Sequence, residues 1–181
     1  MLSKFALVCA TLMFSATLAA AEDRKDLQVF KDISASINRY TPLSVFDDVN
    51  ASVKDGVVTL TGKVTMPYKH HDIAKLVAKV EGVRQVKDQM TVLPVSTFDD
   101  ELRYWIARSI YGNTSFWNYA AMPNPPIHII VEHAHVTLTG VVQSNVERAL
   151  ARSIAAQFGA LSVTNNLKTD AEARALLEEL D

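Results

Sequence analysis

The sequence is poor in the residues that usually announce chemistry. It has one cysteine in 181 residues, and that one, Cys9, lies inside an apolar leader. Without the leader the chain has no disulfide, no thiol nucleophile and no cysteinyl metal site, so its core alone must hold it. Glycine and proline number six each, which excludes collagenous and linker-like chains. Neither sign of charge dominates, with 18 Lys and Arg against 20 Asp and Glu. The basic footprint of a nucleic-acid binder is missing. Gly-x-Ser-x-Gly, His-Glu-x-x-His, phosphate-loop and Rossmann glycine patterns are missing too. No enzyme is expected, and no cofactor is implied.

What the chain does have begins with a leader. Lys4 precedes a mostly apolar run over 5–18, and Ala19-Ala20-Ala21 supplies the small residues a signal peptidase requires. Residues 1–21 read as a cleaved signal peptide, which sends the product to the periplasm. Lys4 is the leader's only charge, so the net charge falls from −2 to −3 on cleavage. No later segment is long and apolar enough to cross a bilayer.

Self-comparison is the most informative step. Val53-Lys-Asp-Gly-Val-Val-Thr-Leu-Thr-Gly-Lys-Val64 aligns with Val131-Glu-His-Ala-His-Val-Thr-Leu-Thr-Gly-Val-Val142 at an offset of 78, with seven of twelve positions identical. Gly62 pairs with Gly140, and Gly82 pairs with Gly159. Two copies of one unit are therefore expected, over 22–94 and 95–169.

Each copy carries the same order of elements. In the first, Val29, Ile33, Ile37 and Tyr40 recur at helical spacing until Thr41-Pro42 stops them. Val49, Ala51 and Val53 alternate as a strand, Asp55-Gly56 signals a tight hairpin, and Val58, Leu60 and Val64 line the next strand. Pro67 opens a second helix with Gly82 as its C′ residue, and a third strand falls within 83–93. The second copy repeats this with Thr97 as first helix cap, a Ser144 to Glu147 capping box, and Gly159 ending its second helix. The fold class is α+β: two tandem α-β-β-α-β units, each a small three-stranded mixed sheet with helices on one face. An aromatic insertion over 112–126 and an acidic helical tail over 170–181 belong to the second copy alone.

Order, spacing and duplication together resemble the BON domain family. The carriers are Val58-Thr-Leu-Thr-Gly-Lys-Val64 and Val136-Thr-Leu-Thr-Gly-Val-Val142, with the Gly82-Val-Arg-Gln-Val86 step after the second helix. The second copy departs at that step and reads Gly159-Ala-Leu-Ser-Val163. The resemblance implies a non-enzymatic periplasmic protein that supports envelope integrity under osmotic or other stress. It also implies contact with phospholipid surfaces or envelope partners.

Few residues compete for a site. His70-His71 and His133-x-His135, with His128, are the only candidate metal ligands, and their spacing suits no tetrahedral site, so no metal is expected. Asp47-Asp48 and Asp99-Asp100 read as solvated or capping pairs rather than acid–base pairs. Gly62 and Gly140 mark a close approach within a strand, expected from a helix packed above. The aromatic segment is the better lead. Tyr111, Phe116, Trp117 and Tyr119, with Arg103 and Arg108 on the preceding helix, form a candidate contact with anionic phospholipid or a protein partner. The competing expectation packs these aromatics between the two units, and Trp105 is assigned to the core. A second functional class is a chaperone or adaptor that binds secreted proteins through sheet edges or this segment. A module of a larger envelope complex is a third.

Overall fold

The computed structural model describes residues 25–178; the leader at 1–21 and the chain end at 179–181 lie outside the described residues. The first unit runs α1 (Asp26–Asn38), β1 (Asp48–Lys54), β2 (Val57–Val64), α2 (Pro67–Val77), β3 (Gln85–Asp88) and β4 (Thr91–Val92). The second runs α3 (Thr97–Tyr111), a 3-10 turn (Thr114–Phe116), α4 (Trp117–Ala120), β5 (Ile127–Glu132) and β6 (His135–Val142). It continues through α5 (Asn145–Ala155), β7 (Ser162–Asn165), β8 (Lys168–Thr169) and α6 (Asp170–Glu178). In each unit the hairpin strands pair antiparallel and the last strand returns parallel to the second, as a helical crossover requires. The chain is α+β, as its sequence pattern indicates.

Period-two alternation places the cores. Val58, Leu60 and Val64 point from β2 onto Val29, Ile33 and Ile37 of α1 and Ile73 and Val77 of α2. Val136, Leu138 and Val142 do the same in β6 against Leu102, Ile106 and Ile110 of α3 and Ala151, Ile154 and Ala155 of α5. Burying each such aliphatic side chain contributes about 1.5–3 kcal/mol.

Several details differ from the sequence reading. The last strand is interrupted in both copies, which is why each sheet shows four strands. At the break, Gln89 donates its N–H to Leu60 O and Asn166 donates its own to Leu138 O (2.9 and 2.8 Å). The following Met90 and Leu167 then drop into the cores. Asp88 and Asn165 hold these kinks by accepting the N–H of Met90 and Leu167. Helices α2 and α5 end at Val77 and Ala155, so Gly82 and Gly159 sit beyond them in later turns, with φ of 89° and 78°. The cap of α3 is Ser96, whose hydroxyl accepts the Asp99 N–H at 3.2 Å. Gly62 and Gly140 do mark a close approach, but its agent is backbone and no helix. At φ of 118° and 112°, an added Cβ would lie 2.1 Å from Asp48 O and 1.8 Å from Pro126 O.

A carboxylate holds the hairpin turn of each unit. Asp55 and Gly56 adopt φ of 50° and 70°, and His133 and Ala134 adopt 52° and 62°. The second pair lacks glycine, and left-handed backbone costs about 1–2 kcal/mol per such residue. Asp99 offsets this by accepting the N–H groups of His133 (2.9 Å) and Ala134 (2.8 Å). Asp26 serves Asp55 (2.8 Å) and Gly56 (3.1 Å) in the same way. Burial alone would raise the Asp99 pKa, but the Ala134 and His133 amides, Ser96 and Arg103 together hold it below the ordinary value.

Asp99→Ala should therefore cost about 3 kcal/mol, since two charge-assisted bonds are lost at a strained turn. Chemical denaturation at neutral pH measures it. The Asp99 contribution should be complete above an unfolded pKa of about 3.9 and fade as pH falls through the lower folded value. A wild-type and Asp99→Ala pair should converge in stability on that acid side.

Candidate functional site

Helix α3 sorts its residues by angle. At 100° per residue, Leu102, Ile106 and Ile110 share the core face with Asp99 at its N-terminal end, and Arg103 lies at its border. Arg103 is only 5% exposed. Its guanidinium donates to Val131 O at 3.1 Å and to Asp99 O at 3.3 Å, and pairs with Asp100 at 3.2 Å. Its donors are committed inside the unit, so the structure takes it out of the expected contact set.

The same correction applies to most of the aromatic segment. Phe116 and Tyr119 are buried, with rings stacked at 6.1 Å, and belong to the core of the second unit. The Tyr119 hydroxyl donates to Glu147 at 2.7 Å and accepts the Gln143 N–H at 2.9 Å. Burial and the Glu147 bond push its pKa up to about 12. The Tyr111 hydroxyl donates to Ile127 O and accepts the Ile127 N–H, pinning the start of β5, and burial raises its pKa. These aromatics complete their own unit instead of packing between the two.

Solvent sees a different set. Trp117 is 73% exposed, and Phe98, Tyr104, Trp105 and Arg108 are exposed along α3. Trp105, assigned to the core from its place beside Ile106, is 49% exposed and meets Tyr104 edge-on at 5.7 Å. Phe98 and Trp105 are two turns apart and share a stripe. The matching helix of the first unit, α1, exposes Gln28, Lys31, Ala35 and Asn38 instead. Two copies of one fold thus present a polar helix and an aromatic one. The sequence signal was available: Phe98 and Trp105 fall outside the spacing set by Leu102, Ile106 and Ile110.

The units meet through the segment before β1. Val45 O accepts the Ile129 N–H at 2.7 Å on the free edge of β5, and Val45 and Phe46 pack on the second core. Lys63 pairs with Glu132 across the seam. Asp47 fixes the segment from below. Its carboxylate accepts from Ser44, from Thr65 N–H and hydroxyl, and from Lys69 Nζ at 2.7 Å, with both charged side chains buried. Burial would raise the Asp47 pKa, but Lys69, Thr65 and Ser44 hold it below the ordinary value.

Two of the histidines have partners of their own. His70 Nδ1 lies 2.9 Å from Asp88 and His135 Nδ1 lies 2.7 Å from Ser162. Among the described residues no group of three or more His, Cys, Asp or Glu could hold a metal ion. No helix among them is long and apolar enough to cross a membrane.

Geometry and duplication define a class: a tandem pair of small α-β-β-α-β modules. The BON domain family matches residues 26–94 and again 116–171. The chain belongs to that family, whose domains are generally non-catalytic and whose proteins are typically periplasmic or envelope-associated. No curated protein matches it in sequence. Among solved structures it is similar to the C-terminal domain of CdsD, a structural protein of the type III secretion system of Chlamydia trachomatis. Identity there is 12% and the TM-score 0.32, over 78% of this chain and 65% of that one. A second CdsD structure gives 12% and 0.27, over 81% of this chain and 97% of that one.

Burial separates two kinds of aromatic, and mutation should too. Phe116→Ala should cost about 3–5 kcal/mol through the cavity it leaves, while Trp105→Ala should change stability by less than about 1 kcal/mol. Urea unfolding of both variants checks the contrast. Lys69→Ala should cost about 3–5 kcal/mol because Asp47 would stay buried without its cation. The double variant with Asp47→Asn should recover part of that loss in the same assay.

Proposed function

We propose that this protein is a non-enzymatic periplasmic envelope protein that docks on phospholipid surfaces through the solvent face of α3 and Trp117. The observation that carries the reading is the exposed Phe98, Tyr104, Trp105 and Arg108 face on a helix whose counterpart is polar. Trp and Tyr favour the bilayer interface, where the ring leaves water and the polar tip stays wet. Family membership supports the envelope setting, and the leader over 1–21 would deliver the chain there.

Magnitudes decide what kind of contact this is. A basic side chain near an anionic surface contributes about 1 kcal/mol, and with Arg103 buried only Arg108 remains on this face. Fully burying one aromatic side chain contributes about 1.5–3 kcal/mol. Insertion therefore outweighs attraction, and added salt should weaken binding only modestly.

Vesicle flotation of the leader-free protein tests the reading, with zwitterionic vesicles and with vesicles containing phosphatidylglycerol. Trp105→Ala and Trp117→Ala should each lower vesicle affinity about fivefold or more at unchanged stability, since about 1 kcal/mol of insertion is lost. Arg108→Gln should erase only the preference for anionic vesicles. Absence of flotation with every mixture would overturn the lipid reading. Suppression of client aggregation by the same protein would then favour the chaperone or adaptor class.

A further inference from the structure

The two units differ at one sheet edge. In β5 the backbone groups of Ile127, Ile129 and Val131 point away from β6, and each of the three residues has a partner. The Tyr111 hydroxyl meets Ile127, Val45 O accepts the Ile129 N–H, and Arg103 donates to Val131 O. At the repeat's offset of 78, their counterparts in β1 are Val49, Ala51 and Val53. Both hairpins keep one register, with Val53 opposite Val58 as Val131 is opposite Val136. Successive pairs alternate in the direction of their backbone bonds, so Val49, Ala51 and Val53 also aim theirs off the sheet. No group among the described residues meets them.

Sequence explains the difference. Counted from the turn-holding Asp26 and Asp99, the places of Arg103 and Tyr111 are taken in α1 by Phe30 and Asn38. Phe30 has no donor, and Asn38 is exposed. Ile127, Ile129 and Val131 are 0% exposed, whereas Val49, Ala51 and Val53 are only half-buried. Beside β1, Leu27 and Phe30 border a groove of about 190 Å³. Unmet amides next to apolar surface invite another strand.

The strand's own sequence selects the partner. Asp48-Val-Asn-Ala-Ser-Val-Lys54 is self-complementary about Ala51. Run antiparallel to itself, it sets Asp48 against Lys54, Val49 against Val53 and Asn50 against Ser52. Opposite charges then face each other at both ends, which stabilises a strand pair. Ala51, where the second unit has Ile129, keeps the crossing point free of bulk. A two-fold contact requires such a surface, one that matches itself.

We infer that β1 pairs antiparallel with β1 of a second copy of this chain, centred on Ala51. Ala51 exchanges N–H and C=O bonds with its own copy, and Val49 does so with Val53. The α1 helices of both copies lie on one side of the joined sheet, where Leu27 and Phe30 of each close over the groove. The β1 edge belongs to the first unit and the α3 face to the second, so the dimer does not rest on the lipid reading.

Sedimentation equilibrium of the leader-free protein is the test. One strand pair is a small contact, so the mass should rise reversibly from monomer toward dimer as concentration approaches about 1 mM. Lys54→Asp should weaken the dimer about tenfold or more, because like charges then face each other at both ends. Adding Asp48→Lys should restore it. The two positions lie about 20 Å apart along one strand, so they can compensate only between chains. Ala51→Pro removes an N–H that β2 does not use and should leave a folded monomer. If either variant does not fold, Ala51→Cys decides. The leader-free chain has no other cysteine, and opposed Cα atoms of a hydrogen-bonded pair lie about 5.5 Å apart, within disulfide reach. Mild oxidation should link Ala51→Cys into dimers and leave Lys54→Cys unlinked. Trp105→Ala and Trp117→Ala should dimerise as the parent does. A monomer at every concentration, a folded charge swap without rescue, or equal linking of the two cysteine variants would each overturn the pairing. A monomer that instead binds an extended apolar peptide, and loses it in Ala51→Pro, would give the edge to another chain and overturn it too.

Discussion

The seam depends on a buried carboxylate that must find donors. Asp47 has left water, and the cost of that transfer is several kcal/mol unless nearly every lone pair is met. Lys69, both polar groups of Thr65, and the N–H and hydroxyl of Ser44 meet them. Those partners come from the segment before β1, from the end of β2 and from α2. Satisfying one anion therefore fixes the segment whose next two residues upstream, Val45 and Phe46, reach the second unit. The Val45 carbonyl then occupies one amide, that of Ile129, on the free edge of β5, where unpaired amides would otherwise invite another strand.

In the second unit the same place is filled by different chemistry. Gln143 and Glu147 follow Thr65 and Lys69 at the repeat's offset of 78, yet the group between them is the Tyr119 hydroxyl. A neutral phenol with a long ring replaces a short anion, so the chain must arrive from farther away and bring apolar bulk along. The segment over 112–126 does this, and Phe116 enters the core beside Tyr119. The insertion is explained by the interaction it completes.

The repeat, the hairpins and the crossover helices were legible because each rests on local chemistry: alternating valines, an Asp-Gly turn, Pro67 at a helix start. Boundaries set by long-range bonds were less so. Gln89 and Asn166 kink the last strands toward Leu60 and Leu138, and no local pattern marks that. The two turn-holding aspartates, Asp26 and Asp99, lie 29 and 34 residues before the amides they accept. At the candidate site, sequence reasoning grouped Tyr111, Phe116, Trp117 and Tyr119 as one contact and set Trp105 apart as core. Arg103, Tyr111, Phe116 and Tyr119 went inward because each had a buried partner to meet, whereas Trp105 and Trp117 did not.

Duplication is also the strongest argument about function, because each unit is a control for the other. Features the fold requires recur in both: the strand glycine facing a carbonyl, the aspartate under the hairpin, the apolar residue at the kink. Features present once are free to serve something else. The aromatic face of α3 is one such feature, since α1 shows that this helix packs equally well with Gln28, Lys31 and Ala35 outside. The half-buried His128 is another, since Asn50 shows that the position tolerates open water. Both single features fall in the second unit. The first unit contributes the polar helix and the Asp47-anchored segment, whose Val45 carbonyl takes up the Ile129 amide on the β5 edge of the second sheet. That asymmetry fits a protein in which one module holds its partner in place and the partner makes the contact.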